Sequence, residues 1–526
     1  MGFAKRPLDR QQAILFPERL DEAIPRDHSV RLLDDLLGRI NWSPWTRRYK
    51  LQRGRPPIHP RIVASVILYG ILRRTHSSRD LEEAITVRLD FRWLAHGTNL
   101  DHTTICNFRV DNQEPLKDLF TQIVLIARQM GHLPLAALGF DGTRMRANNR
   151  RTGTRTPERL RQQQQELAEL YDKAEEQARQ TDAQQTEMYG ERCRGRLPES
   201  LRDIAARKAK VDAAVAELDE IKARGLKEPA RLPITDPQSR VAPNKEGGFA
   251  PNYTPTATVD IDSGIVVDAD VVFGHHEDRD MLQSIDAVQE RFGLPAPIDE
   301  VLADGLMSSG ENIVGCKERG VNLFSPISLN KAQDNPAIRE DLSQPVPNEE
   351  HDKLPTRTVR VGGKKVVKLD KEAFVFVPAE DLYRCPQGEV LSRTGQTTET
   401  ENGRQVIRHH YQSDAPSCSG CLLLEQCVDA KTGRRKIRHT EHEADRIEHA
   451  EKMAEESSQE KYARRRHPGE RPFAVIKQHL GIRQFSVRGR SKVRQQWHWL
   501  TTALNLDLLM ALIQSNPDPP LACPAS

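Results

Sequence analysis

The stretch Leu135-Ala136-Ala137-Leu138-Gly139-Phe140-Asp141-Gly142-Thr143 is a short apolar run that stops at an Asp-Gly pair. An apolar run of this length, bounded by turn residues, predicts a buried strand that ends in a turn. The same pattern recurs at Glu300-Val301-Leu302-Ala303-Asp304-Gly305. An acid directly after a buried strand faces the cleft at the end of the sheet, so we expect Asp141 and Asp304 to share one site.

The sequence between and after these two runs predicts the rest of a sheet. Residues 254–273 alternate apolar and polar side chains around Asp262-Ser263-Gly264, which is a hairpin signal. Apolar spacing predicts helices at 280–288 and 310–319, and residues 321–327 read as a further strand. The order strand, hairpin, helix, strand, helix, strand indicates an α/β fold with a mixed sheet, which is the order of a ribonuclease H-like core.

The flanking sequence predicts further segments. Residues 14–130 carry helical periodicity with a basic face, and a helix is expected to begin near Ser78 as its cap. Residues 157–221 read as two helices separated at Pro198. The predicted divisions are a helical N-terminal domain (1–132), the start of the core (133–150), a helical hairpin insertion (151–235), the core continued (236–329), an insertion domain with cysteines (330–442), a C-terminal helical part of the core (443–515) and a disordered tail (516–526).

Composition narrows the class of protein. The 526 residues are 37% hydrophobic and 29% charged, which suits a globular chain of more than one domain. No apolar run approaches the length of a membrane span, so we expect a cytoplasmic protein without a membrane partner. Eight cysteines in so long a chain are too few for a secreted disulfide scaffold. No Gly-x4-Gly-Lys-Ser/Thr loop is present, so no nucleotide cofactor is expected.

Basic residues concentrate in two blocks, although the net charge is only +3. Residues 41–80 hold nine Lys or Arg against Asp80 alone, and residues 461–494 hold eleven against Glu470 alone. Either block by itself is as consistent with a solvated surface as with a binding surface. Two blocks at opposite ends favour a polyphosphate partner such as double-stranded DNA. The candidate DNA-binding residues are Arg55, Arg61, Arg466, Lys477, Arg488 and Arg490.

Three acids suit phosphoryl transfer to DNA. That reaction uses two hard divalent cations, and carboxylates are their ligands. Glu470 is the expected third acid beside Asp141 and Asp304, because it stands isolated in a basic stretch. If residues 466–477 are helical, Arg466, Glu470 and Lys477 share one face. Pro472 limits this interpretation, since proline belongs in a first turn and favours a new helix near Glu470.

A second constellation consists of Cys385, Cys418, Cys421 and Cys427, spaced as Cys-Pro-Gln-Gly and then Cys-x2-Cys-x5-Cys. Four thiols with a Cys-x2-Cys pair suit tetrahedral Zn2+, which would staple an insertion too polar to fold on its own core. The last spacing is unusual for a zinc ribbon, and His409 and His410 are alternative ligands. A zinc site and a metal-free insertion therefore both stay open.

Several motifs in order resemble those of bacterial insertion-sequence transposases of the DDE (Asp-Asp-Glu) superfamily, in the group with an InsH-like helical N-terminal domain. The motifs are Gly54-Arg55-Pro56-Pro57-Ile58-His59-Pro60-Arg61, Phe91-Arg92-Trp93-Leu94-Ala95-His96-Gly97, Asp101-His102-Thr103-Thr104-Ile105, Asp141-Gly142-Thr143, Ala303-Asp304-Gly305 with Ser309-Gly310-Glu311-Asn312, Arg466-x3-Glu470-x6-Lys477, and Gln496-Trp497 followed by Ala503-Leu504-Asn505-Leu506. Members commonly place a Tyr closely before the Arg of the late motif. Tyr462 lies one residue too far from Arg466, so either Arg465 fills that role or the register differs.

The resemblance implies a function. It implies a ribonuclease H-like catalytic domain, two Mg2+ or Mn2+ ions, binding to terminal inverted repeats, strand cleavage followed by strand transfer, and action as a homodimer. Asp141, Asp304 and Glu470 are the implied catalytic metal ligands. Two alternatives stay open: a transposase-derived DNA-binding protein that no longer cuts, and a zinc-dependent interaction module built on the cysteine region.

Overall fold

The computed structural model describes residues 19–49, 56–189, 199–243, 247–274, 277–294, 296–327, 335–361, 364–401, 403–428 and 433–515. The predicted tail at 516–526 and the predicted break at Pro198 lie outside these ranges. None of the helices within them is long and apolar enough to cross a membrane.

The N-terminal region is helical. Its helices are α1 (Ser29–Gly38), α2 (Ser43–Thr46), α3 (Pro60–Leu72), α4 (Ser78–Val87), α5 (Leu89–Leu94), α6 (His102–Asp111) and α7 (Gln113–Gln129). Helix α4 starts at Ser78, but its cap is Ser77: the backbone there is extended, and the Ser77 hydroxyl accepts a hydrogen bond from the Asp80 amide at 3.0 Å. The expected cap at Ser78 was therefore one residue late.

A five-stranded mixed sheet follows in the chain. Its strands are β1 (Ala137–Gly142), β7 (Pro255–Asp260), β8 (Val266–Val271), β9 (Glu300–Ala303) and β10 (Asn322–Phe324). They lie in the order β10-β9-β1-β7-β8. Strand β7 runs antiparallel to β1 and β8, whereas β9 runs parallel to β1 and β10. The predicted hairpin is confirmed, with Gly264 at a φ of +73° in its turn.

Helices and small strands complete this layer. Helices α10 (Met281–Arg291) and α11 (Gly310–Glu318) occupy the two predicted positions. Between β1 and β7 lie the strands β2 (Met145–Arg146), β3 (Thr154–Arg155), β4 (Leu232–Pro233), β5 (Arg240–Pro243) and β6 (Phe249–Tyr253) and the helices α8 (Pro157–Tyr189) and α9 (Glu199–Ala223). Helices α8 and α9 pack through a small apolar cluster of their own that includes Leu160, Leu167 and Leu218.

The C-terminal helix joins the helical region to the sheet. This helix, α17 (Arg490–Ser515), inserts Trp497, whose indole N–H donates to the Thr256 carbonyl at 2.9 Å. Two residues later, Trp499 donates to the Arg109 carbonyl at 3.2 Å. Buried side chains of the N-terminal helices, the sheet and α17 therefore form one continuous apolar core.

The cysteine-containing region is a β structure. It consists of the hairpin β11 (Thr356–Val361) and β12 (Lys364–Leu369) and the antiparallel sheet β13 (Val375–Val377), β14 (Leu382–Arg384), β15 (Val390–Glu401), β16 (Arg404–Ser413) and β17 (Lys436–Thr440). Short helices α12 (Ala415–Cys418) and α13 (Leu424–Cys427) carry cysteines at their C-terminal ends. The region has its own apolar cluster around Phe374, Tyr383 and Tyr411, so the expectation that it is too polar to form a core was wrong.

Helical structure resumes at Glu443, as predicted. It comprises α14 (Glu443–Ala454), α15 (Glu456–Ala463), the short α16 (Arg471–Ala474) and α17. Lys317 in α11 bonds Asp445 and Glu448 on α14, at 2.9 and 2.6 Å. These contacts hold the C-terminal helices against the sheet layer.

Candidate active site

Asp141 and Asp304 lie side by side at the carboxyl edge of the sheet. Phe140 pairs with Ala303 across the parallel strands β1 and β9, and each of these residues directly precedes one of the two acids. The backbone of Asp304 is still extended, with φ −76° and ψ 171°. Residues at matched positions on neighbouring strands point to the same face, so the two carboxylates approach one another. The structure thus brings together the two acids that the apolar runs predicted.

Glu470 lies close to the same strand. An ideal Cβ on Gly139 would be 3.8 Å from the Gly469 Cα, and residue 139 points to the same face of β1 as Asp141. The segment that contains Glu470 therefore packs over β1 beside Asp141. Glu470 itself is exposed, at the residue just before α16.

The pKa of the Asp141 carboxyl reflects its burial and the charges around it. Burial raises the pKa of the Asp141 carboxyl to about 6, and the positive charge of Arg465 opposes that rise. The negative charges of Asp304 and Glu470 raise the pKa of Asp141 further. Three acids from distant parts of the chain thus interact at one strand end.

Arg465, rather than Arg466, faces the acids. The Arg465 guanidinium lies 3.1 Å from the Asp141 carboxylate, and this arginine is only 8% exposed. Arg466 follows it and is exposed. The Arg465 position also places Tyr462 at the spacing that the resemblance requires. This contact fits the alternative in which Arg465 fills the role of the late arginine.

The late segment is a series of helical turns instead of one regular helix. A 3-10 turn spans Arg464–Arg466, α16 begins at Arg471 with Pro472 in its first turn, and a π-helical turn follows at Val475–His479. The expectation that Arg466, Glu470 and Lys477 share one helix face was therefore wrong, because the helix restarts at the proline.

Lys477 nevertheless reaches the end of β1. Its ammonium group donates to the Thr143 hydroxyl and, at 2.9 Å, to the Arg144 carbonyl. Both acceptors follow Asp141 closely in the chain. A cation consequently borders the acidic site on the side where the strand ends.

A fourth acid, Glu277, was missed by the sequence reasoning. Burial raises its pKa to about 7, and the charges of Asp304 and Asp141 raise the pKa further. The only local signal was an acid soon after the predicted hairpin, beside His275 and His276, and these two histidines lie outside the described residues. Glu277 lies against Gly142, and no spacing rule predicts that contact.

The other candidate DNA-binding residues are distributed differently. Arg55 lies outside the described residues. Arg61 is bound to Asp34 at 2.7 Å within the helical region. Arg488 is exposed and donates to the Asn148 carbonyl at 2.8 Å, whereas Arg490 is half-buried with its guanidinium 4.2 Å from the centre of the Phe273 ring. Among these residues, Arg488 is the one that is exposed and also contacts the segment after β2.

The four cysteines of the β region also lie near one another. Burial raises the pKa of the Cys427 thiol to about 12, and the charges of Cys385, Cys418 and Cys421 act on it in the same direction. The Gln387 amide donates to the Cys385 sulfur at 3.3 Å, and a glycine with positive φ follows in that turn.

Neither constellation is a preassembled metal centre. Within the described ranges, no three His, Cys, Asp or Glu side chains are grouped closely enough to hold a metal ion as they stand. At the acidic site, Arg465 engages one oxygen of Asp141. The donor set still fits a hard divalent cation, because it consists of carboxylates and includes a buried Glu277 oxygen without a hydrogen-bond partner among the described residues.

Comparisons with known proteins match two segments of the chain. Residues 18–111 match the family "Transposase domain (DUF772)", and residues 384–510 match the family "Transposase DDE domain". The second segment contains both Glu470 and the four cysteines. No curated protein matches the chain.

One similar solved structure is that of a piggyBac transposase synaptic complex with hairpin DNA, with 10% identity and a TM-score of 0.30, over 93% of this chain and 76% of that chain. The two family matches confirm the predicted resemblance to DDE-type transposases.

Proposed function

We propose that this chain, which resembles DDE-type transposases in its N-terminal and C-terminal segments, is a DNA transposase that binds the terminal inverted repeats of an insertion sequence and catalyses metal-dependent strand cleavage and strand transfer. The observation that carries the proposal is the pairing of Phe140 with Ala303, which sets Asp141 beside Asp304 at one strand end. Glu470 acts on the same carboxyl through its charge.

We further propose that the sheet is a ribonuclease H-like core. The strand order β10-β9-β1-β7-β8, with only β7 antiparallel to both of its neighbours, supports this assignment. In such an open sheet, the crevice at the carboxyl ends of the parallel strands is where ligands bind. The proposed site therefore lies where the topology favours one.

The proposed catalytic residues are Asp141, Asp304 and Glu470, which would hold two Mg2+ or Mn2+ ions. Bound divalent cations would supply activation of the attacking oxygen and stabilisation of the leaving oxygen. Arg465 keeps Asp141 ionised, since its positive charge opposes the effect of burial on the pKa of that carboxyl. Lys477, which donates to the Arg144 carbonyl just after β1, would contact the scissile phosphate.

The protein surface around the site would hold DNA. We propose that the N-terminal region 1–132 and the basic segment 461–494 contact the phosphate backbone, with Arg466, Lys477 and Arg488 among the contacting residues. Contacts of this kind release counterions, so binding should weaken steeply with salt. A homodimer acting on two element ends, in the cytoplasm beside the chromosome, is part of the same proposal.

The cysteine region is proposed as a structural zinc site. Cys385, Cys418, Cys421 and Cys427 supply the donor set of a four-thiolate zinc centre. The amide-to-sulfur bond in the Cys385 turn and the positive φ of Gly388 and Gly420 support it. The region has its own apolar cluster, so zinc would add to its stability without being the sole source of it.

The test uses labelled DNA that carries the element's own ends. Wild-type protein is expected to retard this DNA and to nick it in Mg2+, whereas Asp304→Asn should bind with unchanged affinity and not cut. Binding without cleavage by the wild type would instead identify a transposase-derived DNA-binding protein. Failure to bind the ends at any salt concentration would overturn the proposal.

A further inference from the structure

Glu277 lies in the turn Glu277–Arg279 that precedes α10. No motif of the sequence singled out this residue. Its carboxylate nevertheless reaches the strand end that carries Asp141.

The contact with Gly142 is unusually close. An ideal Cβ built on Gly142 would be 1.8 Å from the Glu277 Oε2 and 2.9 Å from its Cδ. Any side chain at position 142 would therefore collide with the carboxylate. The Asp-Gly pair at the end of β1 thus has a second role besides making a turn: its glycine admits Glu277 to the site.

The segment that carries Glu277 is fixed by Asn312. The Asn312 side-chain amide donates to the Asp278 carbonyl at 2.9 Å and to the Met307 carbonyl at 3.1 Å. Asn312 is only 1% exposed. One buried amide thus ties the residue after Glu277 to the turn Gly305–Met307, for which Asp304 is the cap. The segment that carries Glu277 is consequently tied to the turn that Asp304 caps.

The Glu277 carboxylate is left incompletely satisfied. Its Oε2 atom is buried and has no hydrogen-bond partner in the described part of the chain. A buried carboxyl oxygen without a partner is costly, whereas coordination to a hard cation satisfies it. The orphaned atom therefore points toward a cation beside Gly142.

We propose that Glu277 is a fourth carboxylate ligand of the divalent cation site formed with Asp141 and Asp304. The inference rests on the proposed function, because it adds a ligand to that same site. Gly142 provides the space for this ligand, and Asn312 is a positioning residue for it.

The test measures binding of Mn2+ to the full-length protein without DNA, by calorimetry and by the electron paramagnetic resonance signal of free Mn2+. Glu277→Gln is expected to weaken Mn2+ binding about tenfold or more. Asp278→Asn, the neighbouring acid, is the matched control and should stay close to wild type. Gly142→Ala retains all the acids but displaces the Glu277 carboxylate, so it should weaken binding as Glu277→Gln does.

Asp141→Asn separates this inference from the proposed function. If Asp141→Asn loses Mn2+ but Glu277→Gln binds it as tightly as wild type does, the fourth ligand is wrong and the proposed site stands. If neither variant changes Mn2+ binding, the proposed metal site itself fails. Circular dichroism of each variant verifies that the fold is intact.

Discussion

The Arg465 guanidinium lies 3.1 Å from the carboxylate of Asp141, and both side chains are largely buried. This pair links the basic C-terminal segment to the first strand of the sheet. It also balances the charge of an acid that burial would otherwise neutralise. If Asp141 binds a cation as proposed, this pair sets the pH range in which the carboxylate is ionised.

Arg465→Gln is expected to shift the acid limb of DNA cleavage to higher pH. Burial already raises the pKa of Asp141 to about 6, and Arg465 is the nearest charge that lowers it. Without this charge the pKa rises further, and a cation binds only the ionised acid. A pH profile of nicking measures the shift. Arg466→Gln, its exposed neighbour, should keep the wild-type profile, and an identical shift in both variants would contradict the assignment of Arg465.

Gly139→Ala should destabilise the protein by about 1–3 kcal/mol through overpacking. The added Cβ would lie 2.8 Å from the Ile261 Cδ1 and 3.1 Å from the Val259 Cγ2, with Gly469 behind them. Urea unfolding measures the change. Gly153→Ala is the control, since the nearest atom to its Cβ is a side-chain oxygen at 3.6 Å. Equal stability of both variants would show that Ile261 and Val259 move aside without cost, which would contradict the predicted overpacking.

Because His498 is buried, we predict that the protein loses stability as the pH falls. Burial lowers the pKa of this histidine to about 3, so the folded protein binds fewer protons at His498 than the unfolded chain does below pH 6.5. The stability that neutral His498 provides is complete above pH 6.5 and declines as the pH falls toward 3. At pH 5 this decline amounts to about 2 kcal/mol.

The variant His498→Leu isolates that effect. Its free energy of unfolding should fall by about 2 kcal/mol less than that of the wild type between pH 8 and pH 5. Urea titrations at the two pH values measure both differences. Parallel declines in the two proteins would mean that His498 does not titrate in this range.

Cys418→Ser and Cys421→Ser should each remove one equivalent of zinc from the purified protein and lower its thermal stability. Elemental analysis and a melting curve measure the two effects. Cys106→Ser is the control, because Cys106 is an exposed thiol on α6 away from the cluster. Wild-type protein that carries no zinc after expression in zinc-containing medium would contradict the proposed centre.

Local sequence predicted much of the sheet because each strand carries its own signal. The runs that end at Asp141 and Asp304 are apolar and contiguous, and a glycine follows each acid. The sequence therefore predicts both the strand and the turn after it. The expectation that the two acids share one site follows from the same pattern, since each acid directly follows its run. The hairpin around Gly264 could be predicted for the same reason, because alternating residues flank a turn.

The remainder depends on contacts that no local pattern records. Glu277 enters the site because Gly142 leaves room for it, and those two residues are far apart in the chain. Arg465 rather than Arg466 contacts Asp141, from a 3-10 turn whose phase no sequence spacing records. In the cysteine region, apolar residues such as Tyr383 and Tyr411 are spread among polar ones along the chain. The overall composition therefore did not predict the small apolar core that they form.

The central claim is most directly tested by cleavage of labelled DNA that carries the element's ends, in Mg2+ and in EDTA, with wild type and Glu470→Gln. Asp304→Asn serves as the reference for a site without one of its paired acids. We predict nicking at the ends by wild type in Mg2+, none in EDTA, and none by Glu470→Gln. Metal-dependent nicking that persists in Glu470→Gln would contradict the three-acid site, and nicking that persists in EDTA would contradict the proposed chemistry.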